Sequence, residues 1–250
     1  MIINIIIIFI FICLFLLLNK KQEIPKQEIQ NIKSIDYYVI TMFSPDRINN
    51  IHNQINKIKN SGTNIDMIYV QAVIGKNLDI NDLIYNKVLT PNIYENKDDK
   101  FTKVFEKRKN EIGCYLSHMR TYNMIKNKGN IDGYSIIFED DFEITKDYSK
   151  ILEETLLKLE KYDFDMLFLG INGYAGNKII DNVYYTTKES FETHAYLVNN
   201  KNIDKIINNM TYMDGLVDVS IFKKGDERKL NVFRIYPTIV TQGGFGTTIR

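Results

Sequence analysis

Hydropathy divides the chain before any motif is read. Ile2 to Leu18 is apolar except for Asn4, with an unbroken run of fourteen residues from Ile5 to Leu18. As a helix this stretch spans about 25 Å at ~1.5 Å per residue, close to a hydrocarbon core of roughly 30 Å. No small-residue cleavage site follows it, and Lys20 and Lys21 flank its end. These features predict a single-pass N-terminal membrane anchor over residues 1–19. A signal peptide is the competing assignment, and the side of the membrane stays open. Residues 20–34 are polar and carry Pro25, which predicts a stalk.

From residue 35 to 250 the pattern alternates between strand-like and helix-like stretches. Asp36–Phe43 is β-branched and aromatic, as a buried strand is, and Ser44-Pro45 stands where an N-cap and first helical residue belong. Ile48, Ile51, Ile55 and Ile58 then mark one apolar helical face. Further strands are predicted at Asp66–Val73, Gly133–Phe138, Asp165–Gly170 and Thr193–Val198. Glu111–Asn127 reads as a loop entering a helix, with Leu116, Met119 and Tyr122 on one side. Leu152, Leu156 and Leu159 mark another helix, and Ile203, Ile206 and Ile207 a shorter one. Asn231–Val240 has no helix after it and predicts added antiparallel strands. Asn86–Lys100, rich in Asn, Lys and Asp, predicts a surface loop. The alternation points to an α/β domain, a mostly parallel sheet with helices on both faces.

Composition narrows the chemistry. Thirty-two Lys+Arg against 31 Asp+Glu leave a net charge of +1, which lacks the basic excess of a nucleic-acid binder. The only cysteines are Cys13 and Cys114, so neither a disulfide framework nor a cysteine-built zinc site is available. Candidate chemistry gathers at Glu139-Asp140-Asp141, where the third predicted strand ends. In an open α/β sheet, ligands collect beyond the carboxyl ends of the strands. Two carboxylates about 5 Å apart repel by roughly 3 kcal/mol at an effective dielectric near 20, so such a cluster recruits a cation or raises a pKa. Oxygen-only ligands favour Mg²⁺ or Mn²⁺ shared with a substrate phosphate. The bland alternative is a solvated acidic turn.

These acids sit within an ordered series of blocks. "YYVITMFSPDRINNI", "VQAVIGKNL", "EIGCYLSHMRTY", "YSIIFEDDFEI", "DMLFLG", "THAYLVNNKNIDKII", "VDVSIF" and "YPTIVTQ" together resemble glycosyltransferase family 25, from about Tyr37 to Gln242. That family includes lipopolysaccharide sugar transferases and procollagen galactosyltransferases. The resemblance implies a GT-A-like fold and a UDP-sugar donor, UDP-galactose or UDP-glucose. It also implies an acceptor hydroxyl on a glycan, a lipid-linked sugar or a hydroxylysine-bearing protein. Glu139, Asp140 and Asp141 take the place of the metal-binding D-x-D, with Glu139 and Asp141 as the spaced pair. Thr41, Ser44 and Arg47 fall where such enzymes hold the nucleotide, and a helix N-terminus there suits an anionic phosphate. Ser117, His118 and Gln242 are further donor or substrate contacts. Asp218 is the candidate general base for inversion at the anomeric carbon, with Asp214 its rival.

Each assignment has a plainer competitor. Arg47 could make an exposed contact on its helix, His118 could be a packing residue, and either aspartate a surface or capping group. His194 reads as a structural histidine, His52 as solvated, and Gly113 as a backbone turn with positive φ. Two positions depart from the family pattern. Ile74 stands where the "A-x-D-G" block has an acid, which puts a ribose contact in doubt, and Tyr122 replaces a Trp. A second reading follows from Ile74: a membrane-tethered, transferase-like binding or structural module without turnover. A metal-dependent phosphodiesterase or nucleotidyltransferase is a weaker third, since three histidines supply few extra ligands. Asn209-Met210-Thr211 is a glycosylation sequon only where the domain faces a lumen.

Overall fold

Alternating side chains on each predicted strand find apolar partners on opposite sides of one sheet, and that pairing organises the domain. A computed structural model describes residues 33–89 and 101–245, without the side chains of 101–107. The predicted anchor and most of the stalk lie outside the described residues. Among those described, no helix is long and apolar enough to cross a membrane. Residues 90–100 of the predicted surface loop are likewise outside them.

Strand β1 (Ile35–Thr41) is central. Tyr38 and Ile40 point into one apolar layer with residues of β2 (Met67–Gln71) and the helix Phe101–Lys128. Tyr37 and Val39 point into the other, against Ile51 and Ile58 of α1 (Pro45–Asn60). Fully burying each such side chain stabilises the fold by about 1.5–3 kcal/mol, which fixes the register of a two-faced strand. Helix α2 (Ile80–Tyr85) is capped by the Asp79 carboxylate. The long helix, α3, begins at Phe101, so Glu111 and Gly113 lie within it rather than in an entering loop. Its buried side is Ile112, Tyr115, Tyr122 and Ile125 together with the polar Ser117, His118 and Thr121, while Leu116 and Met119 are half-buried. Ser117 and Thr121 are tolerated inside because each hydroxyl donates to the carbonyl four residues earlier, of Gly113 and Ser117 respectively.

After β3 (Tyr134–Glu139) come β4 (Phe142–Ile144), α4 (Tyr148–Leu159), β5 (Met166–Asn172), β6 (Lys178–Ile180) and β7 (Val183–Tyr185). The chain closes with β8 (Phe191–Asn199), α5 (Ile203–Met210), α6 (Val217–Asp226), β9 (Val232–Ile235) and β10 (Val240–Gln242). The main sheet has eight strands in the order β2-β1-β3-β8-β5-β9-β7-β6, and β10 pairs with β4 in a separate ribbon. Helices do cover both faces, with α3, α5 and α6 on one and α1 and α4 on the other. The expectation of a mostly parallel sheet needs correction. β1 is parallel to β2 and β3, and β5 to β9, but β8 runs antiparallel to both β3 and β5, and β7 to both β6 and β9. The β6–β7 hairpin returns the chain so that β8 enters in reverse. The late segment splits, with β9 in the sheet and β10 outside it.

Gly113 has a different role from the turn predicted for it. A Cβ there would come 2.6 Å from the carbonyl oxygen of Val73, and one on Gly75 would overlap the carbonyl of Lys109. These two glycines let α3 touch the backbone at residues 73–75. Gly75→Ala is expected to lower unfolding stability by about 3 kcal/mol, because backbone atoms cannot rotate aside as side chains can. Urea titration measures it, and an unchanged midpoint would contradict this packing.

Candidate functional site

The carboxyl ends of β1, β3 and β5 and the start of the antiparallel β8 share one rim of the sheet. Sequence dictates what stands there: β1 ends at Thr41, β3 at Glu139, and β8 opens on Phe191-Glu192-Thr193. A cleft opens at this rim. Its walls include Thr41, Met42, the backbone of residues 72–75, Ser117 and His118 of α3, and Glu139 and Asp140.

The three acids take different protein partners. Glu139 turns toward α3 and β8: its Oε1 accepts from the Thr193 hydroxyl at 2.6 Å and lies 3.3 Å from His118 Nε2. His118 Nδ1 is 2.7 Å from the Tyr196 hydroxyl, which is 2.9 Å from that of Tyr122. A chain of polar contacts thus runs from the core to the rim and fixes the Glu139 carboxylate. Burial opposes its ionisation, but the His118 and Thr193 contacts outweigh this and hold its pKa below the ordinary value. The fixed carboxylate is therefore anionic at neutral pH.

Asp140 and Asp141 turn toward α1. Arg47, predicted to meet the donor, is buried, with Nη1 3.3 Å from Asp140 Oδ1 and 3.0 Å from Asp141 Oδ2. Asp140 Oδ2 also accepts from the Met42 N–H at 3.3 Å. Burial nonetheless pushes the Asp140 pKa up, opposed by Thr41, Arg47 and the Met42 N–H and reinforced by Asp141. Asp141 is buried and accepts from the Gln242 side-chain amide at 3.0 Å, while its Oδ1 has no hydrogen-bond partner among the described residues. Gln242 thus holds an acid. Asn50 of α1 donates to the carbonyls of Asp140 and Phe142, which locks the acidic turn onto the helix.

Of the other predicted site residues, Thr41 and Ser117 stay on the cleft wall and the rest lie apart from it. Ser44 is the α1 N-cap without a side-chain capping bond, and Thr41 accepts from the Phe43 N–H at 3.0 Å. Ser117 receives the Val73 N–H at 2.8 Å, so it braces the cleft wall. Asp214 is bound by Ser220, Lys223 and Lys224. Asp218, in the first turn of α6, accepts the main-chain N–H groups of Glu192 and Val219. His52 is exposed, and Ile74 lines the cleft.

Residues not singled out from sequence complete the site. Cys114 forms its floor, and its thiol pKa is pushed well up by burial, then by Glu139, Asp218, Asp141 and Glu111. Cys114, His118 and Glu139 offer atoms within 4.8 Å of one another, a mixed S/N/O set. Glu192 stands beside Thr193 at the rim, and buried His194 lies behind it with Nδ1 3.5 Å from Glu192 Oε2. Burial lowers the His194 pKa, but Glu192, Glu139 and the Val240 carbonyl raise it on balance. A signal for Glu192 existed in the sequence: it is an acid two residues before a histidine at the start of a strand.

Comparison with known proteins adds one positive finding. The family model of glycosyltransferase family 25 (LPS biosynthesis protein) matches residues 34–174, more than half of the chain. No curated protein matches it.

Proposed function

Because the chain belongs to glycosyltransferase family 25, we propose that it moves galactose or glucose from a UDP-sugar to an acceptor hydroxyl, inverting the anomeric carbon, within a GT-A-like fold. The observation that carries this is the placement of Glu139 and Asp140 on the cleft wall facing Thr41 and the backbone of residues 72–75. The nucleotide lies along that backbone, as ligands do beyond strand ends, and its diphosphate approaches the acids. The sugar then projects toward β8. The acceptor is a glycan, a glycolipid or a protein, approached from a membrane held by residues 2–18.

The acids fit a hard divalent ion. Asp140 and Asp141 are oxygen-only donors, and a buried Asp141 oxygen lacks a hydrogen-bond partner among the described residues. Glu139 belongs to both this set and the one with Cys114 and His118, whose sulfur and nitrogen atoms suit a softer ion. Glu139, Asp140 and Asp141 would hold Mn²⁺ or Mg²⁺, which would offset charge on the departing diphosphate. Arg47 keeps the acidic turn folded, and Thr193 and His118 aim Glu139.

A second reading has its own support. Ile74 gives the cleft an apolar wall in place of an acid, and Arg47 already neutralises two carboxylates. Both favour a module that binds a nucleotide sugar without turning it over. Full-chain protein incubated with UDP-galactose and UDP-glucose separates the two. The transferase releases UDP slowly with Mn²⁺ and stops when EDTA is added, whereas the module binds UDP and releases none. Protein that neither binds nor releases UDP contradicts both.

A further inference from the structure

We propose that Glu192 is the carboxylate that takes the proton from the attacking hydroxyl, and that Asp218 is the positioning residue that holds it there. The proposal rests on the transferase reading. In the step, the acceptor O–H gives its proton to Glu192 and its oxygen bonds to the anomeric carbon. The bond from that carbon to the diphosphate breaks, and its electron pair leaves with UDP.

Four observations place Glu192 in this role. First, it precedes Thr193, whose hydroxyl touches Glu139 of the cleft wall, so it lies at the opening of the strand that borders the cleft. Second, its backbone φ is +78°, in the region that suits glycine, and a strained non-glycine residue in a site is a mark of function. Around it the β5–β8 pairing shifts register twice, between Phe168 and Gly170 with the excess on β5, and between Gly170 and Asn172 with the excess on β8. Such irregularities re-aim side chains beside active sites.

Third, Asp218 Oδ2 accepts the Glu192 N–H at 3.0 Å, and its Oδ1 accepts the Val219 N–H at 2.8 Å. Both oxygens of the sequence-nominated base are engaged by the main chain, and one of them secures the strained residue. Fourth, the Glu192 side chain is 30% exposed, and its Oε2 takes the contacts of Asn172 Nδ2 at 2.7 Å and His194 Nδ1 at 3.5 Å. Among the described residues Oε1 has no partner, which leaves it for an incoming hydroxyl. Glu192 is thus braced from behind and open in front.

The left-handed backbone supplies a sharp test. Glu192→Gly removes the carboxylate and suits φ +78°, so this variant folds at least as stably as the wild type. With water as acceptor, its UDP release from UDP-hexose should fall about 10²–10⁴-fold. UDP affinity should stay within about twofold, and added formate should restore part of the rate. Asp218→Ala should lower kcat about 10-fold with donor KM unchanged, and add nothing further in the Glu192→Gly background, as coupled residues do. Release by Glu192→Gly at the wild-type rate overturns the assignment while leaving the transferase reading intact. Absence of UDP release from the wild type overturns both.

Discussion

Replacing Glu139 by Gln is expected to slow UDP release from a UDP-hexose by about 10²–10³-fold while leaving the protein folded. The amide keeps the shape of the side chain and can still accept from Thr193, so the loss isolates the charge. That charge is unusually well prepared. His118 and Thr193 hold one carboxylate oxygen, and Tyr196 and Tyr122 hold His118 in turn. Preorganised electrostatics of this kind act without reorganisation as charge moves in the transition state. The exposed Glu153→Gln, away from the rim, serves as the control and should keep the wild-type rate. A Glu139→Gln rate within a few-fold of wild type would remove the acid from the reaction.

Arg47→Met should lower unfolding stability by about 3 kcal/mol. Arg47 is buried, and its removal leaves the carboxylates of Asp140 and Asp141, 16% and 8% exposed, without their countercharge. The deficit should depend on pH in a defined direction. Asp140 already has a folded pKa above its ordinary value, because burial outweighs its partners. Such a group binds more protons folded than unfolded, so stability falls as pH rises from its unfolded pKa to its folded one. Arg47 opposes that shift, and its loss widens the window. The gap between wild type and variant should therefore shrink as pH is lowered through the carboxylate range. Urea titrations at several pH values measure this, and a gap that widens on acidification contradicts it.

The residues that could be read from sequence were those whose local pattern and final surroundings agree. Tyr37–Thr41 and Met166–Gly170 are continuous apolar runs buried on both faces, and each lies in the strand predicted for it. Ser44-Pro45 opens its helix as turn chemistry requires. Strands β6, β7 and β4, three residues each, are too short to show a period. Phe101, Val104 and Phe105 stand at helical spacing in the first turns of α3, but the stripe breaks at Arg108-Lys109 before Ile112, which hides the early start. The direction of β8 could not be read, because "THAYLV" is equally apolar in either sense and only the preceding hairpin reverses it.

The site divides the same way. Three acids at a strand end are visible in one dimension, but their division between α3 and α1 is set by partners far away in the chain. Arg47 did carry a readable clue, since it lies four residues before Ile51 on the helix face that is buried. Asp218 shows the opposite limit. An aspartate four residues from another on a helix start gives no hint that it grips the main chain of Glu192. Beyond its place two residues before His194, Glu192 acquires its meaning from a left-handed backbone that no residue type announces.

The most direct measurement is a crystal structure of the full chain grown with UDP and Mn²⁺. The diphosphate should lie in the cleft bounded by Thr41, Gly75 and Glu139, with the ion touching oxygen atoms of the acids that follow β3. A nucleotide seated elsewhere, such as the groove beside Lys57 and Lys146 on the other side of the acidic turn, with those acids bare, would contradict the assignment of this rim.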